Sequence, residues 1–210
     1  LVPRRLRLPV AERVDAQGNV LVPLDEASVA GALETLKEQE IEAVAVGFLH
    51  SFTNPQHERR TAELIARSLP HVAVTLSSDV SPEMREYERF STACANAYLQ
   101  PLMGRYLGRL ENELARAGFR CPMLLMTSGG GITSTETAAR FPVRLVESGP
   151  AGGAIFASCV ARQSGLDHVV SFDMGGTTAK LCLIDKARPQ TARAFEVARI
   201  YRFLKGSGLP

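Results

Sequence analysis

The sequence predicts an α/β protein in which short buried strands alternate with amphipathic helices. Three observations carry that class: brief β-branched apolar runs at "EAVAVGFLH" (42–50) and "HVAVTLS" (71–77), helical periodicity flanking each, and glycine-rich exits after later apolar runs. The runs are too short for helices, and their continuous apolar character suits strands covered on both faces.

Each element has a local reason. In "ERVDAQGNVLVPLDE" (12–26) apolar and polar positions alternate around Gly18-Asn19, which predicts a hairpin or a strand ending in a turn. From Asp25 the residues Val29, Ala32, Leu33 and Leu36 recur at helical spacing behind an acidic start. A second helix begins in "TNPQHERR", where Asn54 can cap and Pro55 needs no amide partner, and Pro70 ends it. Ser81-Pro82 resembles a third helix start, with the pattern running to about Ala117 and a stop at Gly118. Pro101 inside it predicts either two helices or one bent helix. "CPMLLMTS" then reads as a strand leading to Gly129-Gly130-Gly131, "VRLVES" as strand-like, and Gly149-Pro150 as the opening of a helix from Ala151 to about Gln163. Strands are expected on both sides of "DMGGTT" (173–178). No internal repeat or low-complexity tract interrupts this order.

At 210 residues the chain can form one large domain or two small ones. With 45% hydrophobic residues, 22% charged and a net charge of +2, no field favours nucleic acid or a membrane as a partner. No apolar run approaches the ~18 residues that cross a bilayer, and "LVPRRLRLP" lacks the apolar core of a signal peptide, so a cytoplasmic location is expected. Cys94, Cys121, Cys159 and Cys182 form no CxxC pair, which predicts four buried or half-buried thiols in a reducing compartment. The start without methionine and the ending "KGSGLP" give the expectation of an internal fragment.

The stretch "VVSFDMGGTTAKLCLID" (169–185) carries the most chemistry. Successive amides in a glycine turn form an anion-binding concavity, and Gly175 and Gly176 allow one here. Asp173 ends an apolar run, where a carboxylate needs a cationic or hydrogen-bonding partner; Mg2+ or its water is a natural one. Thr177 and Thr178 offer hydroxyls to phosphate, and Lys180 shares a strand face with Thr178. A plain β-hairpin accounts for the same residues equally well. "TSGGGITS" (127–134) and "ESGPAGGAIFAS" (147–158) add two more glycine-bearing exits, the second at a helix start suited to anions. A flexible loop and close helix packing would explain each singly, but ligands gather outside strand carboxyl ends in such sheets. No P-loop, GxGxxG, HExxH or GxSxG pattern occurs. The four histidines have no ligand spacing, and "EMREYER" (83–89) reads as a solvated helix face with i,i+4 pairs.

Taken together, "SSDVSPEMREYERFSTACANAYLQPLM", "TSGGGITS", "RLVESGPAGGAIFAS" and "SFDMGGTTAKLCLID" resemble the hydantoinase A / 5-oxoprolinase family, to which ATP-dependent subunits of acetone and acetophenone carboxylases belong. The resemblance covers nearly the whole chain. It implies actin-like ATPase (ribonuclease H-like) lobes with mixed sheets flanked by helices. Residues 1–165 would supply most of the first lobe, with a helical insertion around 82–118, and 166–210 the start of the second. Asp173 to Thr178 then resemble the second phosphate loop of that superfamily, although Thr177 stands where chaperones carry a third glycine and Lys180 where they carry an acid.

The resemblance implies that ATP activates a carbonyl by phosphoryl transfer, before a cyclic amide such as a hydantoin or 5-oxoproline is opened by water. Ketone carboxylation is the alternative, and a chaperone-like ATPase lobe is one of another class. The expected roles are backbone contacts to phosphate from Gly175, Gly176 and Thr177, a hydroxyl contact from Thr178, and Mg2+ or its water on Asp173. Lys180 would carry positive charge, Gly129, Gly130, Gly131, Ser148 and Gly149 would line the cleft, and Glu147 is the candidate additional acid. The implied partners are a small cyclic amide and a hydantoinase B-like subunit or domain, with ATP and Mg2+ as cofactors.

Overall fold

A computed structural model describes residues 2–176, 178–192 and 196. These fall into two compact units that divide within one long helix, between Tyr106 and Leu107, with Glu196 grouped with the first unit. Compactness is a different criterion from the lobe assignment, which sets 1–165 apart from 166–210.

In the first unit β1 (Arg13–Val14) and β2 (Val20–Val22) form the expected antiparallel hairpin. Its turn is built by Asp15, whose carboxylate accepts from the amides of Gln17 and Asn19 and the Asn19 side chain, while Gly18 takes φ 89°. Next, α1 (Glu26–Glu38) is capped by Asp25, which accepts from Ala27 N. β3 (Ala43–Val46) and β4 (Ala73–Leu76) pair in parallel, joined by α2 (Gln56–Ser68), which starts beside Asn54 and stops before Pro70. Parallel strands need such a crossover. Leu36, Val46, Ile65, Leu69 and Val72 close the core between these helices and strands.

Beyond β4 the structure departs from the sequence reading. A single turn, α3 (Ser77–Val80), precedes α4 (Glu86–Arg116), so the long helix begins at Glu86 and not at Ser81. It passes through Pro101 without interruption; a helix this long absorbs the loss of one internal bond. The segment "EMREYER" is solvated at Glu83, Met84, Arg85 and Tyr87, as expected, but not at its last residue. Arg89 is fully buried, its guanidinium donating to the carbonyls of Phe48 (2.8 Å) and Glu83 (2.9 Å) and to Ser77 Oγ, and stacked over Phe52 and Phe90. Glu58, also fully buried, accepts from Phe48 N, Ser77 Oγ, Ser78 N and Ser78 Oγ. Ser77 Oγ bridges the two charges, so the ends of β3 and β4 are tied together by a buried polar network.

The second unit holds an antiparallel pair, β5 (Leu124–Met126) and β6 (Ile132–Ser134), around the glycine triplet, followed by α5 (Thr135–Arg140) capped by Ser134. "VRLVES" is not a strand: Pro142 to Leu145 form a 3-10 turn, because Pro142 sits at its first position and has no amide for a ladder. α6 (Ser148–Gln163) follows. β7 (His168–Met174), β8 (Ala179–Asp185) and β9 (Arg188–Pro189) make an antiparallel sheet. Val169, Ser171 and Asp173 stand opposite Ile184, Cys182 and Lys180 on the face towards α6, where Ile184 is buried. Val170, Phe172, Met174, Leu181 and Leu183 lie exposed on the other face. The cysteines are unpaired; Cys94 and Cys182 are half-buried as expected, but Cys121 and Cys159 are exposed, the latter on the outward side of α6. No described helix is long and apolar enough to cross a membrane.

Candidate functional site

The β7–β8 hairpin places the principal candidates. The strands register as Asp173 opposite Lys180 and Met174 opposite Ala179, so the turn lies between Met174 and Ala179, and Gly175 N donates to Thr178 O at 3.0 Å. That amide is engaged by the hairpin itself. Thr177 lies outside the described residues.

Why two glycines occupy this turn is the informative question. Gly18, Gly118, Gly130 and Gly165 have positive φ, which explains them through backbone conformation. Gly175 and Gly176 do not, and a Cβ on either would meet no atom within 4 Å among the described residues. Gly149, beside Glu147, is likewise unobstructed, as are Gly31, Gly104, Gly108 and Gly153, so the turn is singled out by its place beside Asp173 and Lys180. Neither strain nor packing among the described residues requires glycine at these positions, and what a side chain would fill there is open space next to the turn.

The second element is the start of α6. Glu147 precedes it with φ 66° and makes no side-chain cap bond; its carboxylate instead pairs with Lys180 on β8. Pro150 has no N–H, so Ser148 and Gly149 bring the amides of the first turn, at the positive end of a 16-residue helix. The structure thus gathers Asp173, Lys180 and Glu147, with Ser148 and Gly149 adjoining, on the α6 side of the hairpin.

The glycine triplet is placed differently. Gly130 takes φ 80° and packs on Ile155 of α6, 3.3 Å from where its Cβ would lie. Thr127 Oγ1 donates to Gly131 O, and Ser128 donates through both N and Oγ to Arg144 O, so the loop's hydroxyls are spent holding its shape. Thr127, Ser128 and Gly129 line a cavity of about 340 Å³ with Phe141, Arg144 and Leu145. Its lining contains none of the hairpin residues. Sequence reading missed the Arg144 carbonyl as the loop's anchor; the Thr-Ser pair before the glycines was the available signal.

Magnesium is usually held by one or two carboxylates together with phosphate oxygens. Asp173 offers one exposed carboxylate at a strand end, and no cluster of three His, Cys, Asp or Glu suited to a metal occurs among the described residues. This donor set suits an ion that arrives with a phosphate chain.

Comparison with known proteins settles the kinship. A Hydantoinase/oxoprolinase family model matches residues 89–204, and a model of the Hydantoinase/oxoprolinase N-terminal region matches residues 1–69. The chain belongs to the hydantoinase/oxoprolinase family. The caprolactamase subunit alpha of Pseudomonas jessenii is 37% identical over 199 residues, 95% of this chain and 29% of that relative. The crystal structure of ATP-dependent caprolactamase from the same organism superposes with a TM-score of 0.81 at 38% identity, covering 87% of this chain and 26% of that one. The nucleotide-free acetone carboxylase structure gives 0.73 at 28% identity, covering 85% and 26%. Saccharomyces cerevisiae 5-oxoprolinase is 34% identical across 73% of this chain and 12% of its own length. The chain thus spans under a third of the length of these relatives. The likeness of fold confirms the mixed α/β class, and the relatives include proteins named as subunits alpha, beta and gamma.

Proposed function

We propose that this chain is the phosphate-binding part of an enzyme that spends ATP to open a cyclic amide. The observation that carries the reading is the β7–β8 turn: two glycines that neither backbone strain nor packing explains, beside Asp173 and Lys180 and facing the start of a helix. Caprolactam and 5-oxoproline are both cyclic amides, and the relatives named for acting on them match along most of the chain.

The turn and the first amides of α6 would bind and orient the phosphates. Phosphoryl transfer depends mainly on positioning and on stabilising charge. Gly176 and Thr177 would approach phosphate through backbone amides and Thr178 through its hydroxyl, while Lys180 neutralises developing charge. Gly175 would join them only if its amide leaves the Thr178 carbonyl. Asp173 would hold Mg2+ or its water, which supplies further neutralisation of the phosphate chain. Ser148 and Gly149 fit the helix-start half of the cradle. Gly129 to Gly131 would support it from behind α6, where Gly130 already packs. A hydantoinase B-like subunit or domain is the fitting partner, in a reducing, cytoplasmic setting.

A second reading is favoured by the acetone carboxylase likeness: the activated carbonyl would be a ketone joined to carboxyl from bicarbonate. One experiment separates the readings. ATP hydrolysis by the complete polypeptide with its partner is measured alone, with caprolactam, with 5-oxoproline, with N-methylhydantoin, and with acetone plus bicarbonate. Stimulation by a cyclic amide supports the first reading and stimulation by acetone with bicarbonate the second. Turnover indifferent to all of them contradicts both and supports a chaperone-like lobe.

A further inference from the structure

Glu147 would ordinarily gain most by turning its carboxylate onto the free amides of the helix it precedes. It makes no such bond. Held in the left-handed region at φ 66°, it reaches to Lys180 on β8. Lys180 in turn stands opposite Asp173 on the α6-facing side of the hairpin, at the edge of the glycine turn. Its stem therefore rises beside the place where the turn leaves open space.

The pair is half-exposed, with side-chain exposures of 37% for Lys180 and 40% for Glu147. Water screens such a pair, and it holds with little net energy. A phosphate chain arriving at the turn carries several negative charges and can take the ammonium from a single carboxylate. We propose that Glu147 is the counterion of Lys180 in the absence of nucleotide: it holds the lysine at the start of α6, beside the turn, and releases it to the phosphates when nucleotide binds. Glu147 is then a positioning residue that sets nucleotide affinity by competition. The proposal rests on the phosphate-loop reading above, and it opposes the expectation that Glu147 acts as a catalytic acid.

The test is calorimetric titration of the complete polypeptide with ATP and, as a phosphate-free control, adenosine. Glu147→Gln is expected to tighten ATP about 2- to 5-fold, the worth of a half-exposed pair, and to leave adenosine unchanged. Lys180→Met should weaken ATP and erase the effect of Glu147→Gln in the double variant, while Lys180→Arg should restore it. Glu147→Gln weakening ATP, or acting equally with methionine at 180, would overturn the proposal. So would a neutral Glu147→Gln beside a damaging Lys180→Met, in which case the phosphate-loop reading survives. ATP binding no tighter than adenosine in the wild type would overturn both.

Discussion

Glu58→Gln tests the buried network that ties the two parallel strands. The substitution keeps the shape of the side chain, so it creates no cavity. In the native arrangement one carboxylate oxygen accepts from Phe48 N at 3.0 Å and Ser77 Oγ at 2.6 Å, the other from Ser78 N at 2.9 Å and Ser78 Oγ at 2.7 Å. An amide can satisfy one of these pairs only. Its NH2 group must face two donors, and the buried negative charge that reaches Arg89 through Ser77 Oγ disappears, leaving Glu86 as the carboxylate partner of Arg89. Bonds to a charged group contribute about 1.5–3 kcal/mol each. The Ser78 hydroxyl can rotate away but its backbone N–H cannot, so the lower end for two bonds, about 3 kcal/mol, is expected. For a cooperative unit of about 150–250 residues that corresponds to a fall of roughly 6–12 °C in the midpoint of the transition that contains Glu58. Thermal unfolding of the complete polypeptide, followed by far-UV circular dichroism, measures it. A loss below about 1 kcal/mol, the scale of a neutral hydrogen bond, would refute the claim that Glu58 is a buried anion fixed by its four donors.

Two further outcomes follow from the same coordinates. Gly130→Ala should cost about 1–2 kcal/mol for its left-handed backbone, with added crowding against Ile155, visible as a lower thermal midpoint. The Glu86 carboxyl lies below its ordinary value of 4.5, held there first by its own backbone amide, then by that of His50 and by Arg89 at 3.5 Å. Its contribution to stability is therefore complete above pH 4.5 and lost as pH falls through the lower folded-state value. Unfolding midpoints across that acid range should decline less in Glu86→Gln than in the wild type; parallel declines would contradict this.

Much of the fold was legible because its signals are local. Gly18-Asn19 marks a turn, Asp25 stands at an acidic helix start, and the β-branched runs of β3 and β4 announce buried strands. The failures share a different cause. Arg89 looks like one more exposed charge in "EMREYER", and only the distant Phe48 carbonyl and Ser77 hydroxyl bury it. "VRLVES" has strand-like composition but no partner strand among the described residues, and Pro142 opens a 3-10 segment there. At the site, the sequence singled out the glycine turn, Asp173 and Lys180 as candidates, and the structure places them on one hairpin. It could not show that Lys180 meets Glu147 while the glycine triplet is anchored to Arg144, because both depend on contacts between separate elements.

The central claim is that the β7–β8 turn is open in order to admit phosphate. Gly176→Ala tests it most directly, because a Cβ there meets nothing within 4 Å among the described residues. The account predicts an unchanged or slightly raised thermal midpoint, since Gly→Ala at an unstrained site gains about 0.4–1 kcal/mol. It also predicts that the variant's affinity for ATP, measured by calorimetry, falls tenfold or more, the effect of losing ~1.4 kcal/mol of binding free energy. Full ATP affinity in a stably folded Gly176→Ala protein would contradict the account.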